Sequence, residues 1–211
     1  MLQPFDKHKF AKQPAYYTKP AKIRAREQVV AVYREIAGRM MLPRGRGYWT
    51  LCNKQPDTEG SEIVQLVKCG LIQKSQFFGI DFDARGEGII EFNRQQHPEA
   101  HWFRGDWLEV VEANYEQFNP ALIYFDYTRA VTTLAARLYL ARVMNMCPSK
   151  TIVAANFMLS DGHSRRRFDP NSLVEGLVMH LRDPNNWKVF DKYYSYKSSH
   201  TDMATYIFAR V

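Results

Sequence analysis

The chain has 211 residues, 45 % hydrophobic and 14 % aromatic, a composition that supports a substantial core and excludes a disordered or low-complexity protein. No apolar run reaches membrane-spanning length, and the polar first twenty residues lack a signal-peptide core, so neither a membrane anchor nor secretion is expected. The net charge of +7 is localised: residues 1–46 carry eleven Lys/Arg against Asp6, Glu27 and Glu35, a surplus of eight, which leaves −1 for the rest.

A basic arm on a near-neutral body is a common build for a polyanion-binding protein. Lys22 and Arg24 are candidate phosphate contacts within it, and Tyr16 and Tyr17 could stack on bases. A solvated leader has the same composition. Cys52, Cys69 and Cys147 have neither zinc-ligand spacing nor a disulfide framework, so a reducing, cytoplasmic compartment is expected. His97 and His101 are separated by Pro98, which breaks the helix that would align them on a metal.

Taken in order, Lys22 to Met41 reads as an amphipathic helix with Ile23, Val29, Val30, Tyr33, Ile36, Ala37 and Met40 at helical spacing. Pro43 and the Gly45-Arg46-Gly47 turn end it. Residues 1–46 are therefore read as a basic leader with its helix, and 47–211 as the main domain. Tyr48–Asn53 is a first strand. A loop follows, and Ser61 caps a helix over Glu62–Ile72.

Gln76–Asp83, Q-F-F-G-I-D-F-D, is an apolar run ending in two carboxylates, as suits a strand buried on both faces of a parallel sheet. A helix follows up to Pro98. His101–Arg104 is a short third strand, then Gly105-Asp106-Trp107 and a helix of Leu108–Gln117. Ala121–Phe125 is a fourth strand, closed by Asp126-Tyr127-Thr128, with a long helix from Arg129 to Met146. Thr151–Leu159 is a fifth strand, and its exit loop carries Arg165-Arg166-Arg167. After a helix of Ser172–Arg182, two alternating runs, Trp187–Tyr196 and Met203–Val211, are joined by a short link and should pair as an antiparallel hairpin.

Five alternations of strand and helix, then a helix and a closing hairpin, imply an α/β doubly wound, seven-stranded, mostly parallel sheet with an antiparallel last strand. In this order, with these strand ends, residues 47–211 resemble the class I S-adenosylmethionine-dependent methyltransferases, the Rossmann-like methyltransferase fold. The resemblance implies S-adenosylmethionine as cofactor and S-adenosylhomocysteine as product. It places Asp81 on the ribose with Asp83 in reserve, and Gly105, Asp106 and Trp107 at the adenine. Asn53, Asp57, Gly60 and Ser61 fall where the family's glycine-rich first loop holds the methionine part. Only Gly60 remains of those glycines, and the missing G-x-G-x-x-G also argues against a dinucleotide enzyme on the related fold. Asp81 or Asp83, and Asp126, are equally suited to cap the helices that follow them.

Asp126-Tyr127 corresponds to the family's Asp/Asn-Pro-Pro-aromatic motif without its prolines, which implies a carboxylate and an aromatic beside the methyl-accepting group. No cysteine stands at the end of the fourth strand to act as a nucleophile, which weighs against carbon-5 pyrimidine methylation. The leading expectation is a methyltransferase on DNA or RNA, with Arg165, Arg166 and Arg167 on the substrate. A protein or small-molecule substrate is an alternative, as is a cofactor-free or catalytically silent binding protein of the same fold that recognises nucleic acid or protein. A plain nucleotide-binding module is a further one. With no separate target-recognition domain, a partner subunit or a lightly specific, single-stranded target fits best. The compact build and eroded motifs would suit a viral protein, then expected in the host cytoplasm.

Overall fold

The structure is a computed structural model that describes residues 20–82, 86–130, 134–158, 170–197 and 202–211. Seven strands form one sheet: β1 (Gly47–Leu51), β2 (Phe77–Asp81), β3 (His101–Arg104), β4 (Pro120–Ala130), β5 (Ile152–Met158), β6 (Trp187–Lys197) and β7 (Asp202–Arg210). Their spatial order is β3-β2-β1-β4-β5-β7-β6. β1 to β5 pair in parallel, and β7 lies antiparallel between β5 and β6. The expected hairpin is present, and its second strand becomes an interior strand.

Two layers of helix cover the sheet. α1 (Pro20–Met40), α2 (Glu62–Lys68) and α3 (Ile89–Gln96) lie on one face, over Tyr48, Phe77, Leu122, Tyr124, Ile152 and Ile207. α4 (Trp107–Ala113), α5 (Leu134–Met146) and α6 (Pro170–Val178) lie on the other, over Trp49, Ile80, Ile123, Phe125 and Val153. The alternation follows from the period of a strand, which sends neighbouring side chains to opposite faces. α1 is a full member of its layer. Val29, Val30, Val32, Tyr33 and Ile36 are buried at helical spacing, and the Tyr33 hydroxyl donates to the Ile123 carbonyl across the sheet.

Most boundaries match the sequence within a few residues, but three do not: the helix expected from Ala84 begins at Ile89, after Gly86 and Gly88 at positive φ, and β4 and the helix after it also differ. The strand expected to close at Phe125 continues to Ala130, and α5 begins at Leu134 instead of Arg129. Asp126 is therefore a strand residue that caps no helix. Between Asp126 and Ala130, β4 runs four residues against two on β5, from the Asp126–Asn156 pair to the Ala130–Met158 pair. β6 bulges in the same way opposite β7, between Phe190 and Tyr194. Such bulges bend a strand and re-aim its side chains.

The connections reverse direction at the centre. β1 to β3 build outward on one side of β1, and β4 onward on the other. In doubly wound sheets, the crevice at the carboxyl ends of strands beside such a reversal is where ligands bind. β2, which carries Asp81 to that edge, depends on a missing side chain. A Cβ at Gly79 would stand 2.5 Å from the Trp102 ring on β3 and 3.1 Å from Cys52 Sγ. The Trp102 indole is itself fixed by its hydrogen bond to the His97 carbonyl at 3.0 Å. Gly79→Ala should destabilise the fold by about 1–3 kcal/mol, read as a lower urea midpoint at unchanged slope.

Candidate functional site

Asp81 and Asp126 end up at the same edge, on the same face. Asp81 is the last residue of β2 and half-buried, its side chain on the α1–α3 side because Ile80 points to the other. Asp126 is half-buried and points to the same side, two residues after Tyr124. One strand, β1, lies between theirs, so the two carboxylates are roughly 10 Å apart across the sheet. Cys52, just past β1, completes the row. Burial first, and then the nearby charges of Asp81 and Glu62, push its thiol well above the usual range, so it stays protonated.

Asp126 is held from the side. Asn156 Nδ2 on β5 donates to Asp126 Oδ1 at 2.7 Å, and Thr205 Oγ1 on β7 donates to Asn156 Oδ1 at 3.3 Å. The sequence reading missed both residues. The available signal was an asparagine inside the otherwise apolar run I-V-A-A-N-F-M, where a polar side chain must find a partner.

Gly105 and Asp106 shape the turn from β3 into α4. Gly105 sits at φ +151, and its N–H donates to the Asp81 carbonyl at 3.1 Å, joining the two strand ends. Asp106 is an N-cap: its Oδ1 accepts from Leu108 N at 2.9 Å and from the Tyr139 hydroxyl at 3.1 Å. Trp107 points inward and is 1 % exposed, edge-on to Trp49 and Phe125. Its ring is core, and only its backbone faces the turn. Tyr127 continues β4, with its side chain outside the described residues.

The loop after β1 differs most from the expectation. It is anchored to α3 through its backbone. Gln55 N donates to Asn93 Oδ1 at 2.6 Å, Asn93 Nδ2 donates to the Asn53 carbonyl at 2.8 Å, and His97 Nε2 lies 3.0 Å from the Gln55 carbonyl. Asp57 follows in the chain and is exposed, 3.7 Å from Lys74 Nζ and 3.9 Å from His97 Nδ1. Lys74 precedes β2, whereas Asp81 ends it.

Gly60 is half-buried, and Ser61 is buried as the N-cap of α2, its Oγ accepting from Val64 N at 3.4 Å. Gln55 Oε1 accepts from Glu62 N at 2.9 Å. Two of the amides expected to receive a carboxylate are thus taken by side chains. Glu62 adds to this: it is 4 % exposed, bonded by the Tyr48 hydroxyl and 3.5 Å from Thr50 Oγ1. Burial and that carboxylate push the Tyr48 and Tyr33 hydroxyls well above their ordinary range.

Among the remaining candidates, Arg24 is exposed on α1 and the Lys22 side chain is outside the described residues. Asp83, Arg165, Arg166 and Arg167 are also outside them. Among the described residues, no group of three His, Cys, Asp or Glu could hold a metal ion, and no helix is long and apolar enough to cross a membrane.

No protein-family model and no curated protein sequence matches the chain. Solved structures do. A DUF574 family protein from Streptomyces avermitilis aligns with a TM-score of 0.55 at 10 % identity, over 89 % of this chain and 83 % of that one. The type I restriction-modification system methyltransferase subunit from Streptococcus thermophilus gives 0.55 at 12 % identity, over 92 % of this chain and 44 % of its own. Trm5b from Pyrococcus abyssi gives 0.51 at 10 % identity, over 92 % and 50 %. With the strand order above, these likenesses define the fold: this chain has the Rossmann-like fold of the class I methyltransferases. It spans about half the length of the last two proteins.

His97 provides a test of the loop's anchorage. It is fully buried, and burial first, then Lys74, holds its pKa below 6.5. The unfolded chain therefore takes up the proton first. Stability is complete above pH 6.5 and falls as pH drops through the lowered value. Urea midpoints measured from pH 7.5 down to 5 should decline, and His97→Gln should flatten that decline.

Proposed function

We propose that this protein is an S-adenosylmethionine-dependent methyltransferase acting on nucleic acid. The observation that carries the reading is the pair Asp81 and Asp126, at strand ends on either side of β1, on one face, at the reversal point of a methyltransferase fold. Asp81 has the chemistry to accept hydrogen bonds from both hydroxyls of a ribose. The backbone at Gly105 and Trp107 forms the adjoining wall for adenine. When bound, the cofactor supplies a methyl group on a positively charged sulfur.

Transfer of such a methyl group needs orientation above all. Asp126 accepts a hydrogen bond from an N–H or O–H of the accepting group, turning its lone pair toward the methyl, and takes up the proton at its carboxylate. Tyr127, next along β4, is the candidate to stack on the target base. The surplus of basic residues in 1–46, with Arg24 exposed on α1, supports nucleic acid as the substrate class.

A second reading has its own observation. Glu62 N and Val64 N are occupied at the start of α2, with a buried carboxylate beside them, so this helix start does not offer the methionine carboxylate the expected donors. A binding protein of the same fold that does not use the cofactor would be built this way.

Calorimetric titration with S-adenosylmethionine and S-adenosylhomocysteine separates the two. Methyl transfer predicts micromolar binding that weakens at least about tenfold in Asp81→Ala, a loss on the order of 1.4 kcal/mol. Binding to neither compound would favour the binding protein. Asp126→Ala should keep cofactor affinity and lower turnover on RNA or single-stranded DNA by about 100-fold or more. Deleting residues 1–19, which hold four lysines, should reduce the slope of log K against log salt by up to about 3 on single strands. An unchanged slope would remove the leader from the phosphate contacts.

A further inference from the structure

A row of three polar side chains crosses three neighbouring strands where the surroundings are apolar. Asp126, Asn156 and Thr205 are register partners on β4, β5 and β7. Asn156 and Thr205 are both 0 % exposed, among Tyr124, Ala154 and Ile207 on that face. Burying an asparagine and a threonine side by side in a sheet costs stability unless each satisfies the other. Here the pairing also has a direction.

An asparagine side chain has an accepting end and a donating end. The Thr205 hydroxyl donates to Asn156 Oδ1 at 3.3 Å, which leaves the NH2 end for Asp126 at 2.7 Å. An NH2 group only donates, so Asp126 Oδ1 accepts, and that hydrogen bond favours the ionised carboxylate. Among the described residues, the titratable groups on the same face include Asp81, Glu62, Cys52, Tyr124, Tyr48 and Tyr33, and burial keeps the Tyr33 and Tyr48 hydroxyls protonated. Negative charge on Asp81 and Glu62 opposes ionisation of Asp126. The asparagine amide works against them.

We propose that Asn156, oriented by Thr205, is a positioning residue that keeps Asp126 an ionised hydrogen-bond acceptor, and so matches the site to accepting groups that present an N–H or O–H. The effect on Asp126 is a property of the fold alone; its effect on turnover rests on the methyl-transfer reading.

The test is the pH titration of the Asp126 side-chain carboxyl by carbon-13 NMR, its signal assigned by loss in Asp126→Asn. In Asn156→Leu the Asp126 pKa should rise by about 1 unit or more. Thr205→Val should raise it by less, and Thr205→Ser, which keeps the hydroxyl, should restore the wild-type value. An unchanged Asp126 pKa in folded Asn156→Leu overturns the proposal. If that variant does not fold, equal values in Thr205→Val and Thr205→Ser overturn it instead. Where methyl transfer to RNA or single-stranded DNA is measurable, the acidic limb of kcat should move with the NMR pKa while KM holds. A displaced limb without an NMR change also overturns it. Absence of any methyl transfer would count against the enzyme and leave the NMR result to decide the role of Asn156.

Discussion

Where the chain leaves β1, it must satisfy the backbone groups of a loop that has only one glycine. Asn93 makes this possible. Fully buried on α3, it accepts from Gln55 N with one end of its amide and donates to the Asn53 carbonyl with the other. The route of the loop, the inward turn of Gln55 and the closed start of α2 all follow from that anchorage. In related folds, glycine leaves the backbone open to a ligand. Here a side chain from a neighbouring helix occupies the backbone, and the loop becomes part of the packed layer. The departure from the family pattern is thus a substitution of one way of satisfying amides for another.

The fold was legible because its signals are periodic. Apolar runs at strand spacing, helical stripes between them and two alternating runs at the close lead to one topology, and the sheet has it. The site was legible only in part. G-I-D marked Asp81 because the carboxylate closes an apolar run. Trp107 followed the same positional logic but lies in the core, since a tryptophan in the first turn of a helix reads alike whether it faces in or out. Asp57 was read as a cofactor contact from its place in the first loop, and its neighbours Lys74 and His97 come from residues far away in sequence. Asn156, Thr205 and Glu62 acquire meaning only as neighbours across strands, which a single-chain pattern does not encode.

The two faces of the sheet are chemically unlike near the carboxyl edge. The α4–α6 side is mainly aromatic and aliphatic, with Trp107 edge-on to both Trp49 and Phe125. The α1–α3 side carries Asp81, Asp126, Asn156, Thr205, Thr50 and Glu62 above its own apolar layer. The concentration of carboxylates and amides on one side of the switch point gives the crevice a defined orientation, with the Asp106–Tyr139 pair as the polar contact at the start of α4 on the other. The bulge just past Asp126 widens the strand there, a common device for aiming a side chain.

The insertion of β7 between β5 and β6 has a consequence for how the molecule is made. Thr205 is synthesised 49 residues after the asparagine it contacts. While the chain is emerging from the ribosome, β5 therefore has an unpaired edge, and Asn156 has no hydroxyl partner. Contacts this distant in sequence close late and slowly, because the intervening loop must first give up its freedom. The nascent chain would hold Asp126 on its strand well before the row behind it was complete. A polypeptide that stalled before β7 could bury much of its core and still lack the fixed orientation of its central amide.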